Sequence, residues 1–278
     1  MYNATAEVLR ETPQARVIRV RPDRPKHSHL GGQYGSLGLA SAADPAKLVK
    51  RAYSIAHPVL DPETRELVSL DDTDWLEFYF NRVEPAAGRE GLTPKLFALK
   101  TGDRLFCGEK ITGHCTLERV PRERDVLFVS TTTGEAAANS ILADFLAQGR
   151  PGGACSLVLG DAGWESLYSA SHAALPAAFP RARVVTVSAA DAVARAEALL
   201  AGALADADAS RRAFGFALAP AKTHVFLIGD PAMIGAPRKL GAWRTEAAGG
   251  GLLPLLSEKG FTPATRFKEG DIDHESYW

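Results

Sequence analysis

The sequence predicts two units in series, an antiparallel β-barrel followed by an α/β unit built on a parallel sheet. Residues 1–120 contain short runs of alternating apolar and polar residues, separated by Gly, Pro and Asp, as in antiparallel strands. Beyond residue 125 the strands are continuously apolar and alternate with helical segments, as in a parallel sheet covered on both faces. The 278 residues suffice for two cores. We therefore predict a barrel domain at 1–120 and a nucleotide-binding-like domain at 125–278.

Individual elements follow from the same patterns. Arg16–Arg21 (RVIRVR) alternates apolar and basic residues, so this strand should bury one face. The other predicted barrel strands are Gln33–Leu39, Ala52–Ala56, Trp75–Val83 and Arg104–Ile111. The predicted parallel strands are Val126–Ser130, Ser156–Leu159, Arg183–Val187 and His224–Ile228, and the clearest helices are Glu135–Gln148 and Asp191–Ala207.

Composition excludes several function classes. The net charge of −1 and pI near 6.7 argue against bulk attraction to nucleic acid. No apolar run approaches the roughly 18 residues of a membrane span, and no secretory h-region is visible, so a cytoplasmic location is expected. Two basic groups, 16–26 and 119–124, fit either solvated strand ends or a docking face for an acidic carrier protein.

Cysteine and histidine spacing predicts no metal site. Cys107, Cys115 and Cys155 are odd in number and form no C-x-x-C motif, which disfavours disulfides, a thiolate zinc site and a four-thiolate iron–sulfur cluster. Each is expected to be a small buried hydrophobe. His27 and His29 form a short H-x-H pair without further ligands at a recognisable spacing.

One ordered series of motifs points to a flavin. Arg51-Ala52-Tyr53-Ser54 (RAYS) closes a predicted strand, preceded by Gly32–Leu39 (GQYGSLGL) and followed by Gly91–Phe97 (GLTPKLF). Strand alternation places Arg51 and Tyr53 on one side and Ser54 on the other. A flavin site needs a cation for the pyrophosphate, a flat aromatic for the ring and a hydroxyl near its reactive nitrogen. The series resembles the FAD domain of bacterial ferredoxin–NADP reductases.

The resemblance implies roles for these residues. Arg51 would hold the FAD pyrophosphate, Tyr53 would stack on the flavin, and Ser54 would lie near its N5 atom. Backbone amides and a hydroxyl at Leu92 and Thr93 would contact the phosphates. Further FAD contacts are implied for Ala52, Tyr79, Asn81, Arg82, Val83 and Thr133.

The C-terminus shows a second resemblance to the same family. A chain ending in Tyr277-Trp278 resembles the bacterial subgroup whose terminal aromatics cover the FAD, so Tyr277 is expected near the isoalloxazine and Trp278 near the adenine. A frayed polar tail is the alternative. Ser54 and Tyr277 are the predicted catalytic residues. Glu275 is either a proton relay or a solvated carboxylate.

The resemblance also implies a site for NADP(H) or NAD(H), but here the sequence departs from the family. Ile228 replaces the usual cysteine, and Thr132 stands where the first glycine of the phosphate loop belongs. A β-branched side chain there would either crowd the cofactor or reshape the loop. Asp161 and Glu165 disfavour a 2′-phosphate and favour NADH, although Arg211, Arg212 or Lys222 remain possible phosphate ligands. The implied nucleotide contacts are Thr131, Thr132, Gly134, Gly229, Asp230, Pro231 and Met233.

The resemblance therefore implies a flavoprotein oxidoreductase of the ferredoxin–NADP reductase type. Such an enzyme transfers hydride between NAD(P)H and FAD, and single electrons to or from a ferredoxin or flavodoxin-like carrier. One alternative is an FAD-containing electron-transfer subunit with a degenerate nicotinamide site, reduced by a protein partner. The other is a non-catalytic binding or assembly protein on a reductase scaffold.

Overall fold

The computed structural model describes residues 2–85, 90–235, 238–240, 244–246, 250–265 and 267–277, with no side chains for 238–240 and 244–246. Its first half is an antiparallel barrel of six strands in the spatial order β1-β2-β5-β4-β3-β6. The strands are β1 (Ala4–Glu11), β2 (Ala15–Pro22), β3 (Tyr34–Ala40), β4 (Leu48–Ala56), β5 (Leu76–Asn81) and β6 (Arg104–Cys107). A short helix, α1 (Leu92–Ala98), connects β5 to β6.

The predicted barrel is confirmed. Strand β6 pairs with both β3 and β1, and this closes the ring. Alternate residues of β2 and β5, such as Ile18, Phe78 and Phe80, fill the interior. The pattern analysis does not single out β1, because its inward positions are the small residues Ala4 and Ala6.

The second half is a five-stranded parallel sheet with helices, as predicted. Its spatial order is β13-β10-β7-β8-β9. The strands are β7 (Asp125–Thr131), β8 (Ala154–Gly160), β9 (Ala182–Ser188), β10 (Thr223–Gly229) and β13 (Ile272–Ser276). The helices are α2 (Glu135–Ala147), α3 (Ser169–Ala178), α4 (Ala192–Ala205), α5 (Ala207–Phe214), α6 (Pro231–Ile234) and α7 (Leu252–Glu258). Two short strands, β11 (Arg238–Leu240) and β12 (Arg244–Glu246), pair antiparallel.

The strand order creates a switch point at the carboxyl end of β7. The chain runs from β7 through β8 to β9 on one side and then returns to β10 on the other side of β7. In open parallel sheets a crevice forms where the strand order reverses in this way, between the two loops that diverge there. Here those loops follow β7 and β10. None of the helices in the described ranges is long and apolar enough to cross a membrane.

A buried polar cluster joins the barrel to the parallel sheet. Glu77 of β5 is fully buried and pairs with Arg19 at 3.0 Å and Arg10 at 3.4 Å. The hydroxyl of Tyr168, which precedes α3, donates to Glu77 at 2.7 Å. Because buried charges are tolerated only with such partners, the cluster fixes how the two halves meet.

Candidate functional site

The first half of β4 is open along one edge. It pairs with β3 along its length, but its pairing with β5 is confined to Ile55 with Phe78 and Ala56 with Glu77. Residues 50–52 are consequently exposed in the middle of a barrel sheet. An open edge offers unpaired backbone groups to a ligand.

Arg51 and Tyr53 lie beside this open edge, on the same side of β4 as predicted. Arg51 is exposed, and its only described hydrogen bond is to the carbonyl of Lys50, so its guanidinium has no carboxylate partner among the described residues. Tyr53 packs on Phe80 with ring centroids 5.6 Å apart. Burial raises the pKa of Tyr53, and the Thr93 hydroxyl and the Arg51 cation oppose that shift. These residues place a free cation, an aromatic ring and a hydroxyl together.

Ser54 faces the opposite side and meets the C-terminal strand. The hydroxyl of Tyr277 donates to Ser54 Oγ at 2.6 Å, and the Tyr277 N–H donates to the carbonyl of Gly229 at 2.8 Å. Strand β13, which pairs with β10 in parallel, carries Tyr277 to this place. Residues 272–277 are therefore ordered rather than a frayed tail, and Trp278 lies outside the described residues.

Glu275 completes a polar group with Ser54 and Tyr277. Burial raises the pKa of Glu275 to about 7, and the hydrogen bond from Ser54 opposes the shift. Burial and the Glu275 charge together raise the pKa of Tyr277. At neutral pH this carboxyl therefore exchanges a proton readily, as a general acid or base must.

The other predicted FAD contacts are spread along the barrel. Ala52 is exposed on the open edge, whereas Leu92 is buried in the barrel core. Arg82 lies over the Phe97 ring at 5.4 Å, and Val83 is 55% exposed.

Two of the predicted FAD contacts, Tyr79 and Asn81, lie away from the open edge of β4. Tyr79 is buried against Tyr168, with ring centroids 5.7 Å apart, and Asn81 Nδ2 donates to Thr132 Oγ1 at 3.1 Å. The structure brings both to the contact between the two halves and not beside Tyr53.

The crevice at the switch point is narrow because its two loops touch. Thr131 Oγ1, at the end of β7, accepts a hydrogen bond from the N–H of Asp230 at 2.8 Å. A Cβ added at Gly134 would lie 2.5 Å from the carbonyl oxygen of Ile228. The chain itself therefore occupies the space between the ends of β7 and β10.

The remaining predicted nucleotide contacts are structural in this conformation. Asp230 caps α6 by accepting from the Ala232 N–H at 2.8 Å, and Pro231 occupies the first turn of that helix. Met233 is fully buried in the core. Gly229 has φ 125°. Thr133, a predicted FAD contact, is 9% exposed at the same loop.

Thr132 occupies the first loop position in a strained backbone conformation. Its φ is 42°, a left-handed conformation that glycine adopts freely and a β-branched residue does not. The Asn81 side chain holds it there.

Glu135, which sequence reasoning missed, lies directly after this loop. It is fully buried, and both carboxylate oxygens contact Ser166 Oγ, at 2.9 and 2.8 Å. Burial raises the pKa of Glu135 to about 8. Glu135 lies in the first turn of α2, where a carboxylate disfavours the binding of an external anion. An acidic residue at the start of a predicted helix was the available signal.

Acidic and aromatic side chains border the rest of this edge. Asp161 and Glu165 are exposed after β8, and the Trp164 ring covers Gly160 so closely that a Cβ there would lie 2.4 Å from it. Lys222 directly precedes β10, at the opposite end of the strand from the crevice, so it is no phosphate ligand in the crevice. Arg211 and Arg212 pair instead with Asp208 and Asp206 of α5 and its cap.

The basic groups are largely paired within the chain. Arg16 donates to the carbonyls of Leu96 and Leu99. Arg19 pairs with Glu77, and Arg124 pairs with Asp271. These pairs favour a structural role over a docking face.

The three cysteines are free and buried, as predicted. Among the described residues, no group of three or more His, Cys, Asp or Glu could hold a metal ion.

Comparison with solved structures defines the class of fold. A ferredoxin–NADP⁺ reductase from Neisseria gonorrhoeae with bound FAD and NADP matches with a TM-score of 0.75 at 18% identity, over 99% of this chain and 98% of that one. The CS-b5R domains of human Ncb5or in the NAD⁺ form match with a TM-score of 0.69 at 15% identity, over 98% of this chain and 68% of that one. The FAD/NAD-binding domain of a nitric oxide dioxygenase from Vibrio cholerae matches with a TM-score of 0.64 at 13% identity, over 100% and 99%.

The chain thus has the fold of the ferredoxin–NADP⁺ reductases and related FAD- and NAD-binding reductases. No protein-family model matches the sequence, and no curated protein matches it.

Proposed function

We propose that this chain is an FAD-containing electron-transfer reductase that couples a nicotinamide dinucleotide to a small iron–sulfur or flavin carrier such as a ferredoxin or flavodoxin. The observation that carries the proposal is the Ser54–Tyr277–Glu275 group, which the barrel and the C-terminal strand build together beside the open edge of β4. A structural scaffold has no need for a titratable carboxyl beside two hydroxyls. This favours the enzyme over a non-catalytic assembly protein.

The described residues fit FAD. Arg51 is a cation without a carboxylate partner, as a pyrophosphate ligand requires, and Tyr53 offers an aromatic ring at the same open edge. Thr93 supplies a hydroxyl at the start of α1, where no side chain caps the helix. Bound FAD would supply the conversion between two-electron chemistry at a nicotinamide and one-electron transfer to a carrier.

The chain's own residues would contribute proton transfer. Glu275 holds a proton near neutral pH because burial raises its pKa to about 7. Ser54 connects this carboxyl to the site, and Tyr277 fixes the Ser54 hydroxyl by donating to it at 2.6 Å. We assign Ser54 and Tyr277 as catalytic residues and Glu275 as a positioning residue that supplies or takes up the proton through Ser54.

For the nicotinamide partner we favour NADH over NADPH. Asp161 and Glu165 are exposed at the end of β8 with no described ion pair, and no Arg or Lys lies in segments 160–167 or 188–191. A carboxylate at this place accepts from a free ribose hydroxyl and repels a 2′-phosphate.

The residues around the switch point do not fit a dinucleotide in the conformation described above, since the two loops touch. That misfit favours a second candidate, an electron-transfer subunit reduced by a protein partner. Both candidates share the flavin site and the one-electron carrier.

An anaerobic absorbance titration of the purified, FAD-loaded protein tests the proposal. We expect NADH to bleach the visible flavin band faster than NADPH does, and a ferredoxin or flavodoxin to restore it. A protein that takes up no FAD would contradict the proposal. A flavin that dithionite bleaches but neither nicotinamide touches would favour the subunit reduced by a protein. The cytoplasmic location stays a prediction.

A further inference from the structure

A single side-chain bond joins the barrel to the loop at the mouth of the crevice. Asn81 is the last residue of β5, and its Nδ2 donates to Thr132 Oγ1 at 3.1 Å. Thr132 begins the 3₁₀ turn Thr132–Gly134 between β7 and α2. The bond therefore spans from one half of the molecule to the other, across the entrance to the switch point.

The turn that carries Thr132 is held on its other side by β10. The position of a Cβ at Gly134 falls 2.5 Å from the Ile228 carbonyl oxygen, and Thr131 Oγ1 is bonded to the Asp230 N–H. The Asn81–Thr132 bond ties the same turn to the end of β5, so the turn is held from both the sheet and the barrel at the carboxyl end of β7.

The conformation of Thr132 costs free energy that the bond helps to offset. Its φ of 42° is disfavoured for a β-branched residue. The Asn81 amide is the one hydrogen-bond partner described for the Thr132 hydroxyl. Without it, no described bond would hold the Thr132 side chain in place. The loop is therefore a strained element that a small change can release.

We propose that Asn81 and Thr132 form a latch that closes the dinucleotide crevice, and that a nicotinamide dinucleotide enters only when this bond opens. The inference rests on the proposed function, because it concerns how the nucleotide partner of that function gains access. The latch lowers the apparent affinity by the fraction of molecules in which it is open. Asn81 and Thr132 are then determinants of nucleotide affinity.

The test measures NADH binding by calorimetry on the FAD-loaded protein, which needs no turnover. Thr132→Ala and Asn81→Ala break the bond from its two ends and leave the backbone strain of the closed turn, so we expect each to lower the NADH dissociation constant about threefold to fivefold. The double alanine variant should gain nothing beyond either single variant. Thr132→Gly breaks the same bond but also relieves the strain, which stabilises the closed turn, so its dissociation constant should fall by a smaller factor.

Arg65→Gly is the matched control. Arg65 also has a positive φ, 61°, but it is exposed in the loop between β4 and β5, away from the crevice. This variant relieves the same kind of strain and should leave NADH affinity unchanged.

Unchanged or weaker NADH binding in Thr132→Ala and Asn81→Ala would overturn the latch, as would an equal gain in Arg65→Gly. Binding of NADH by neither the parent protein nor Thr132→Ala would overturn it too. FAD content is measured on every sample, so a failure of the proposed function appears as an absence of flavin and is distinguished from a failure of the latch.

Discussion

The molecule has two glutamate–serine pairs, one at each candidate site. Glu275 neighbours Ser54 where β13 meets the barrel, and Glu135 accepts a hydrogen bond from Ser166 at the carboxyl edge of the parallel sheet. Burial raises the pKa of both carboxyls, to about 7 for Glu275 and about 8 for Glu135. Glu275 is partly exposed, whereas Glu135 has no exposed surface.

The difference shows that a raised pKa alone does not mark a reactive group. Glu275 lies near the open edge of β4, with a second hydroxyl from Tyr277 on the same serine. Glu135 is enclosed by the helix it begins, by Ser166 and by the domain contact. Perturbed carboxyls occur in structural networks as well as in active sites, and access to a ligand separates the two cases.

The largest expected effect is on stability and concerns Glu135. Its pKa rises from 4.5 to about 8 on folding, so the native protein holds a proton that the unfolded chain loses. This stabilising contribution is complete below pH 4.5 and is lost as the pH rises to about 8, by on the order of 3 kcal/mol between pH 5 and pH 8. We expect Glu135→Gln to remove most of that loss, as measured by urea unfolding at both pH values.

Glu165→Gln, an exposed carboxylate at the same edge, is the control for this comparison and should leave the pH dependence as it is. Equal slopes for the parent protein and Glu135→Gln would mean that Glu135 does not titrate in this range.

The next effect is on rate and concerns Glu275. Without its titrating carboxyl, we expect Glu275→Gln to lower electron transfer to the carrier about 100-fold at pH 7 while retaining FAD. The pH–rate profile of the parent should inflect near pH 7, and the variant should lose that inflection. Glu135→Gln should change the rate less than about twofold, because Glu135 bonds to Ser166 and has no described bond to Ser54 or Tyr277. A profile that keeps its inflection in Glu275→Gln would remove Glu275 from the proton path.

The third expected effect is on FAD binding and concerns Arg51 at the open edge of β4. Loss of a charge-assisted bond to a phosphate costs about 2 kcal/mol, so Arg51→Ala should weaken FAD binding about 30-fold. Lys50→Ala is the matched control, since Lys50 is the neighbouring exposed cation and lies over the Phe106 ring at 3.9 Å. FAD dissociation constants from fluorescence titration check the pair. Equal losses in both variants would indicate general charge attraction instead of a specific contact.

The smallest expected effect is the gain in stability when backbone strain at a positive φ is relieved. Thr132→Gly and Arg65→Gly each remove a side chain from the left-handed region, and each should raise the free energy of unfolding by about 1 kcal/mol. Thermal unfolding of the two variants measures this. A loss of stability in Thr132→Gly alone would show that the Asn81 bond contributes more than the strain costs.

The fold could be predicted from local patterns wherever a strand either alternates strongly or is continuously apolar. Strand β2 alternates apolar and basic residues, and β7 and β10 are continuously apolar, so their places in a barrel and a parallel sheet were predictable. Strand β1 was not, because alanines fill its inward positions. Strand β13 was not either, because its apolar content is low and its order depends on pairing with β10.

The residues of the candidate site also differ in how far the sequence could predict them. Arg51, Tyr53 and Ser54 are adjacent on one strand, so alternation alone fixed which residues share a side. Glu135 and Ser166 are 31 residues apart, and Asn81 and Thr132 are 51 apart. Pairs of that separation depend on how the barrel docks against the sheet, which no local pattern encodes.

Titration of FAD into the flavin-free protein, followed by calorimetry, tests the central claim most directly. The account predicts one tightly bound FAD per chain, with binding weakened by Arg51→Ala and unaffected by Thr132→Gly. No FAD binding, or binding that depends on Thr132 and not on Arg51, would contradict the assignment of the open edge of β4 as the flavin site.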